Sequence, residues 1–368
     1  VGPRALPGLC RQAERGVNRQ RVLHLDSGQT WRGGQRQVLL LATGLRNLGH
    51  EPLLIGSPGS PLVKRGQAEG LAVATIPMIA DWDLQAARRI RSRIKAWQPD
   101  VVHAHDARSH ALSLIALLGS RTPFIVTRRV IFPPKSIGLK YGERVTKFIA
   151  ISNAVRDAMV SRGIAPSRIE VVHSGIRLPS GDVVARNWRA DLGWPGDAVI
   201  LGVVGAMTAE KGIEALGQII SALPAADRKR ARLVLIGGSK QGPALIGGIP
   251  VHNAGFVDEI EAATAGLDIL LHPARAEGLG TSVIDAMALG VPPVAFAVGG
   301  LPELITEKSG FLVTGGDVAA FAERVGLLIR DSSRRETLAA GSRQRATLFS
   351  ADRMTKQTEA VYQGVITG

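Results

Sequence analysis

Short apolar runs recur along the chain, separated by segments of helical period. In the first half, Arg21–Asp26 reads as a strand and Ser27–Gly34 as a Gly-rich turn. Val38, Leu41, Ala42 and Leu45 then lie three or four apart, which predicts a helix from about Gln35 to Leu48, with Gly49 as its stop. Further strands are predicted at Pro52–Ile55, Asp100–Ala104, Pro123–Thr127, Phe148–Ile151 and Ile169–His173. Helices are predicted at Leu84–Trp97 and at Asn153–Arg162, the latter capped by Ser152. In the second half, Ala198–Val204, Leu233–Ile236, Ile269–Leu271 and Pro293–Phe296 are apolar at every position. A strand buried on both faces requires that composition, as in parallel sheets covered by helices.

Strands alternating with helices imply doubly wound parallel sheets with right-handed crossovers. The Gly- and Pro-containing stretch Ser174–Asn187 divides the chain. The predicted fold class is therefore α/β, with two Rossmann-like domains facing a cleft, and ligands belong at the carboxyl ends of the strands. We assign residues 1–20 to a basic tail, 21–180 to one domain, 181–348 to the second, and 349–368 to a C-terminal helix returning to the first.

Composition changes this picture in one respect. The 368 residues carry a formal charge of +14. Residues 1–180 hold 27 Lys and Arg against 11 Asp and Glu, a net of +16, and residues 181–368 hold 18 against 20, a net of −2. The basic excess thus belongs entirely to the first half. The lone Cys10 excludes an internal disulfide framework and a multi-cysteine zinc site, and fits a cytoplasmic protein. No apolar run reaches the ~18 residues of a membrane span, and residues 1–20 lack the apolar core of a signal peptide.

The segment His272–Met287 carries the most chemistry. A strand enters a loop containing Gly278 and Gly280, and a helix starts near Gly280, so free backbone N–H groups and a positive dipole end face a phosphate or diphosphate. Glu277 and Asp285 beside such a site suit the hydroxyl groups of a sugar and a ribose. Taken alone, the two acids read better as a helix-cap acid and a solvated helix acid.

Several segments together, however, resemble the retaining glycosyltransferases of family 4, which have the GT-B fold. Their E-x7-E element, G-x-P and G-G-x-P-E are matched by Glu277-Gly-Leu-Gly280, Asp285-Ala286, Gly290-Val-Pro292 and Gly299–Glu303. Gly33-Gly34, Pro99–His105, Ala150–Ser152, His173–Ile176, Gly205 with Glu210-Lys211-Gly212, and Asp268–Pro273 resemble further family segments, so that the resemblance runs over about residues 21–365.

The resemblance implies a reaction and roles. A hexose-type sugar would pass from a nucleoside diphosphate sugar, UDP favoured, to a lipid-linked, lipopolysaccharide or polysaccharide acceptor with retention of anomeric configuration. Glu277 would contact sugar hydroxyls and Asp285, one methylene shorter than the usual Glu, the ribose. Lys211 would neutralise the departing diphosphate, and His105 would lie near the sugar. Gly33, Gly34, Gly205, Gly278, Leu279, Gly280 and Thr281 would bring backbone to the donor. Ala206 stands where the related loop has Arg. Arg129 stands where many relatives have His, and Arg128 and Arg129 are candidates for an anionic acceptor or the diphosphate. His103 reads as a core histidine. No cofactor or metal is expected: Asp81-Trp-Asp83 resembles a metal-binding D-x-D string but is better read as a loop with a helix cap.

The cations group at Arg4–Arg36, at Arg88–Lys95 and at Arg128–Lys147, the last mixed with apolar Ile131–Tyr141. That mixture fits peripheral contact with the anionic inner face of the cytoplasmic membrane, and equally a solvated basic face. Nucleic acid is not expected, since aromatic interleaving is sparse. A nucleotide-sugar epimerase of similar fold and a catalytically weak basic binding protein are the alternative readings.

Overall fold

The structure is a computed structural model, and it describes residues 19–134 and 138–367; the predicted tail falls almost wholly outside these. The first sheet is built from β1 (Arg21–Asp26), β2 (Glu51–Gly56), β3 (Ala72–Thr75), β4 (Val101–Ala104), β5 (Phe124–Arg128), β6 (Lys147–Ala150) and β7 (Ile169–Val171). Its spatial order is β3-β2-β1-β4-β5-β6-β7, parallel throughout. The second sheet holds β8 (Val199–Val204), β9 (Ala231–Ile236), β10 (Leu245–Ile246), β11 (Ile249–Gly255), β12 (Ile269–His272), β13 (Pro293–Phe296) and β14 (Phe311–Val313). Its order is β10-β11-β9-β8-β12-β13-β14, parallel except for the β10–β11 hairpin.

Strand order reverses between β1 and β4 in one sheet and between β8 and β12 in the other. The helices that follow neighbouring strands there leave on opposite faces and open a crevice at the carboxyl ends. Continuous apolar strands make both sheets two-sided: Val22, Leu23, Ile200 and Leu201 are fully buried. One apolar cluster runs from Leu25 and Val126 of the first sheet through Ile151 and Ile176 to Leu279, Leu301 and Leu304 of the second domain. The two halves therefore share a core beneath the crevice, and burial of that shared surface holds them against each other.

The last helix, Ala351–Thr367, packs on the first domain. Met354 and Tyr362 join Val22, Leu41, Leu45 and Val101 in one cluster, and a bridge pairs Ile176 with Ser350. Gln20 is already folded: it is buried, and its carbonyl accepts from Glu51 N at 2.8 Å.

Candidate active site between the two sheets

The second sheet supplies the acidic and cationic pair. Gly212, at φ +72°, follows the short turn Ala209–Lys211, and a Cβ there would run into the Pro273 carbonyl. Only glycine allows this approach. It lays the loop against the end of β12, where Arg275 N donates to Glu210 O at 2.9 Å, and brings the Lys211 ammonium onto the Glu277 carboxylate. His272, the last residue of β12, holds the same oxygen through Nε2 at 3.0 Å. Burial alone would raise the Glu277 carboxyl, but the His272 hydrogen bond and the Lys211 charge outweigh it and bring it down to about 2. Burial also keeps His272 lowered, so the ring is neutral and Nε2–H donates.

Gly280 (φ +102°) turns the chain into the helix Thr281–Ala288, whose first turn has no side-chain cap and no acid. Gly278 meets Arg129 of the opposite domain, and its carbonyl accepts from Ser152 Oγ at 2.6 Å. The Leu279 side chain is buried in the core, so only its backbone faces the crevice. Gly205 ends β8 at φ +134°.

The first sheet supplies the facing wall. The helix Gly33–Asn47 begins without a side-chain cap and without an acid in its first turn. It starts two residues earlier than the periodicity predicts, because Gly33 and Gly34 are themselves helical. A Cβ on Gly33 would lie 3.3 Å from Thr281 Oγ1, so the two helix N-termini meet across the crevice. Arg36 spans it: its guanidinium grips Asp285 with both nitrogens, Nη2 to Oδ1 at 2.9 Å.

At the β1–β4 switch lie three neutral histidines. Burial lowers His24 to about 3 and takes His103 and His105 well below their ordinary value. His24 Nδ1 bonds His105 Nε2 at 3.0 Å, and His103 is held by Tyr362 Oη at 2.6 Å and Thr127 Oγ1 at 2.7 Å. His103 is thus a satisfied core residue, and both of its nitrogens are occupied. The three rings stand close enough to offer nitrogens to one metal ion, but doing so would break the bonds of His103. His105 is 3% exposed, deeper than a cleft residue read from its strand position, and its Nδ1 has no partner.

The two neighbouring arginines differ. Arg128 bonds Tyr141 Oη at 2.7 Å and the Phe132 carbonyl. Arg129 lies with its Cδ 3.6 Å from where a Gly34 Cβ would be. Its Nε is enclosed without a partner. Burial lowers its guanidinium to about 10, against the pull of Asp26 and Asp106, so it is charged at neutral pH. Glu303 clamps the domains: it accepts from His173 Nε2 at 2.8 Å and from Asn153 N at 3.0 Å and Nδ2 at 2.7 Å, and its carboxyl falls to about 2 although burial opposes this.

His24, Arg36, His272 and Glu303 were not singled out from the sequence as site or inter-domain residues. His272 and His24 did leave a signal, as histidines inside buried apolar strands. Arg36 and Glu303 act through partners 249 and 150 positions away, and no local pattern reports that. Asp83, by contrast, caps the helix Leu84–Trp97 by accepting from Ala86 N at 2.9 Å, as the helix-cap reading of Asp81-Trp-Asp83 has it.

Two switch-point crevices closed face to face, with opposed helix N-termini and a Lys–Glu pair, define a two-domain α/β protein with its candidate site between the sheets. The second domain matches the family model described as Glycosyl transferases group 1 over residues 198–331, and the first matches Glycosyltransferase Family 4 over residues 31–178. The D-inositol 3-phosphate glycosyltransferase of Xylanimonas cellulosilytica is 28% identical, over 93% of this chain and 90% of that protein. The D-inositol 3-phosphate glycosyltransferase 1 of Catenulispora acidiphila is 30% identical over 73% of each. Alr3699/HepE of Anabaena, solved in complex with UDP-glucose, superposes with a TM-score of 0.81 at 19% identity, covering 94% of this chain and all of that one. The chain belongs to the family 4, group 1 glycosyltransferases and has the GT-B fold.

Proposed function

We propose that the protein transfers a hexose-type sugar from a nucleoside diphosphate sugar, UDP favoured, to a lipid-linked, lipopolysaccharide or polysaccharide acceptor with retention of configuration. The observation that carries the donor half is the convergence of Lys211, Glu277 and the uncapped helix start at Thr281 on one crevice wall, with Gly33 and Gly34 opposite. Helix N-termini favour diphosphate. Lys211 stabilises negative charge as the nucleoside diphosphate leaves, the kind of electrostatic help that acts most strongly in a site shielded from water. Glu277, held ionised, orients sugar hydroxyls and the developing positive charge at the anomeric carbon. Asp285 takes the ribose hydroxyls, and Gly205, Gly278, Leu279 and Gly280 present backbone. His105, neutral, lies near the sugar position with its Nδ1 enclosed in the protein. Arg129, whose Nε has no hydrogen-bond partner, takes an anionic group of the acceptor. No metal enters this scheme, and the expected result is that EDTA leaves transfer unchanged.

The acceptor half of the reading rests on the surface of the first domain. Among the described residues, no helix is long and apolar enough to cross a membrane. Ile79, Trp82 and Leu84 are 77%, 78% and 58% exposed, in the loop and first position of the helix Leu84–Trp97, whose outer face carries exposed Arg88, Arg89, Arg93 and Lys95. Lys140 ties the neighbouring basic segment to this loop by its 2.8 Å bond to Asp81, and Phe132 beside it is 54% exposed. Apolar tips beside a cationic face suit the anionic inner leaflet. A melting-temperature screen of UDP-, GDP- and ADP-sugars tests the donor half: stabilisation by one of them supports it, and no shift from any of the three sinks it. A nucleotide-sugar epimerase would interconvert the donor without an acceptor, which the same preparations report.

A further inference from the structure

The loop from Gly205 to Gly212 is poor in cations for a site that must neutralise a diphosphate. Position 206 is alanine, and Lys211 is already engaged by Glu277. Arg275 turns outward to Glu214 at 3.1 Å, both side chains about two-thirds exposed (63% and 64%). Elsewhere in the crevice, two uncapped helix N-termini, each with a positive dipole end, meet at Gly33 and Thr281. Arg36 stands at that junction. It belongs to the first turn of one helix, and its fork reaches Asp285 in the second turn of the other. The guanidinium and the carboxylate are 29% and 27% exposed, so a ligand can reach both from the crevice.

We propose that Arg36 is a diphosphate-binding residue contributed across the cleft, and that Asp285 is its resting partner. The proposal rests on the donor reading above. A nucleoside diphosphate brings both halves of an exchange: its ribose hydroxyls donate to Asp285, and its phosphate oxygens accept the fork that Asp285 gives up. Planar bidentate pairing with phosphate is what a guanidinium does best. Breaking the pair without an incoming anion would leave a half-buried arginine unpaired, so the ligand must carry negative charge as well as hydroxyls. Nucleosides, which offer only the hydroxyls, gain nothing from Arg36.

The test compares a nucleoside diphosphate with its nucleoside. UDP and uridine, and the GDP and ADP pairs, are titrated by calorimetry against the full chain, Arg36→Ala, Ala206→Arg and the double variant. The expected result is a loss of at least tenfold in UDP affinity in Arg36→Ala, with uridine changed by less than about threefold, and recovery of UDP affinity in the double variant. A loss common to UDP and uridine makes Arg36 a mere latch for Asp285 and overturns the proposal, as does a loss that Ala206→Arg leaves unrepaired. Binding of UDP that is indifferent to Arg36 overturns it while sparing the donor reading. If no nucleoside diphosphate binds the unaltered chain, the donor reading falls and takes this proposal with it.

Discussion

Replacing Glu277 with Gln keeps the shape of the side chain and removes its charge. That charge is held by Lys211 and His272, which bring the carboxyl from 4.5 to about 2. At about 1.4 kcal/mol per unit the shift corresponds to roughly 3 kcal/mol. The side chain is 12% exposed, so solvent screening takes little of this, but part of the energy belongs to Lys211, which survives the substitution. A stability loss of about 1–3 kcal/mol follows, or roughly 3–8 °C in melting temperature for a domain of this size. The same change releases Lys211 for phosphate. Affinity for UDP therefore holds or rises, by up to about tenfold, while sugar transfer falls ~100-fold or more, as when a preorganised charge is removed. Differential scanning calorimetry, UDP titration and initial rates read the three effects separately. A UDP affinity that falls together with the rate, at an unchanged melting temperature, would refute the Lys211–Glu277 competition and the role of Glu277 derived from it.

Other outcomes follow from the same contacts. The Glu303 carboxyl is depressed in the folded state to about 2, so its contribution is complete above the unfolded value near 4.5 and is lost as pH falls from there toward 2. Glu303→Gln should flatten the acid limb of a stability-versus-pH curve in that window, and an unchanged limb would remove the clamp from the account. Gly212→Ala meets both an unfavourable φ and the Pro273 carbonyl, and should cost at least about 2 kcal/mol in chemical unfolding, with loss of transfer; a neutral substitution would mean that the loop does not need this approach. Co-sedimentation with vesicles should require anionic lipid, weaken with salt and drop several-fold in Trp82→Ala; binding that ignores lipid charge would dismiss the membrane surface.

The sequence made the interior of the second sheet most legible because strands such as Ala198–Val204 are apolar at every position. Ala198–Val204 could be neither a surface helix nor an edge strand, and it corresponds to β8. The edges were less visible. Residues 72–75 of β3 are exposed or half-buried at every position, although Leu71–Ala74 is apolar in sequence, and β11 carries His252 and Asn253 in mid-strand. Within the site, glycines and acids at fixed spacing were readable because a helix N-terminus and a tight turn are local objects. The Arg36–Asp285 and Glu303–His173 pairs arise only when the two sheets close on each other, and side-chain type alone does not announce that closure. His105 shows the converse: its strand position was legible, while its burial against His24 depends on a neighbouring strand.

The claim on which the rest depends is that the crevice between the two sheets is the donor site. Calorimetric titration of UDP, GDP and ADP into the unaltered chain and into Lys211→Ala tests it most directly. The account predicts one site per chain for at least one of the three, weakened at least tenfold by Lys211→Ala. Absence of binding for all three, or binding that Lys211→Ala leaves intact, would contradict it.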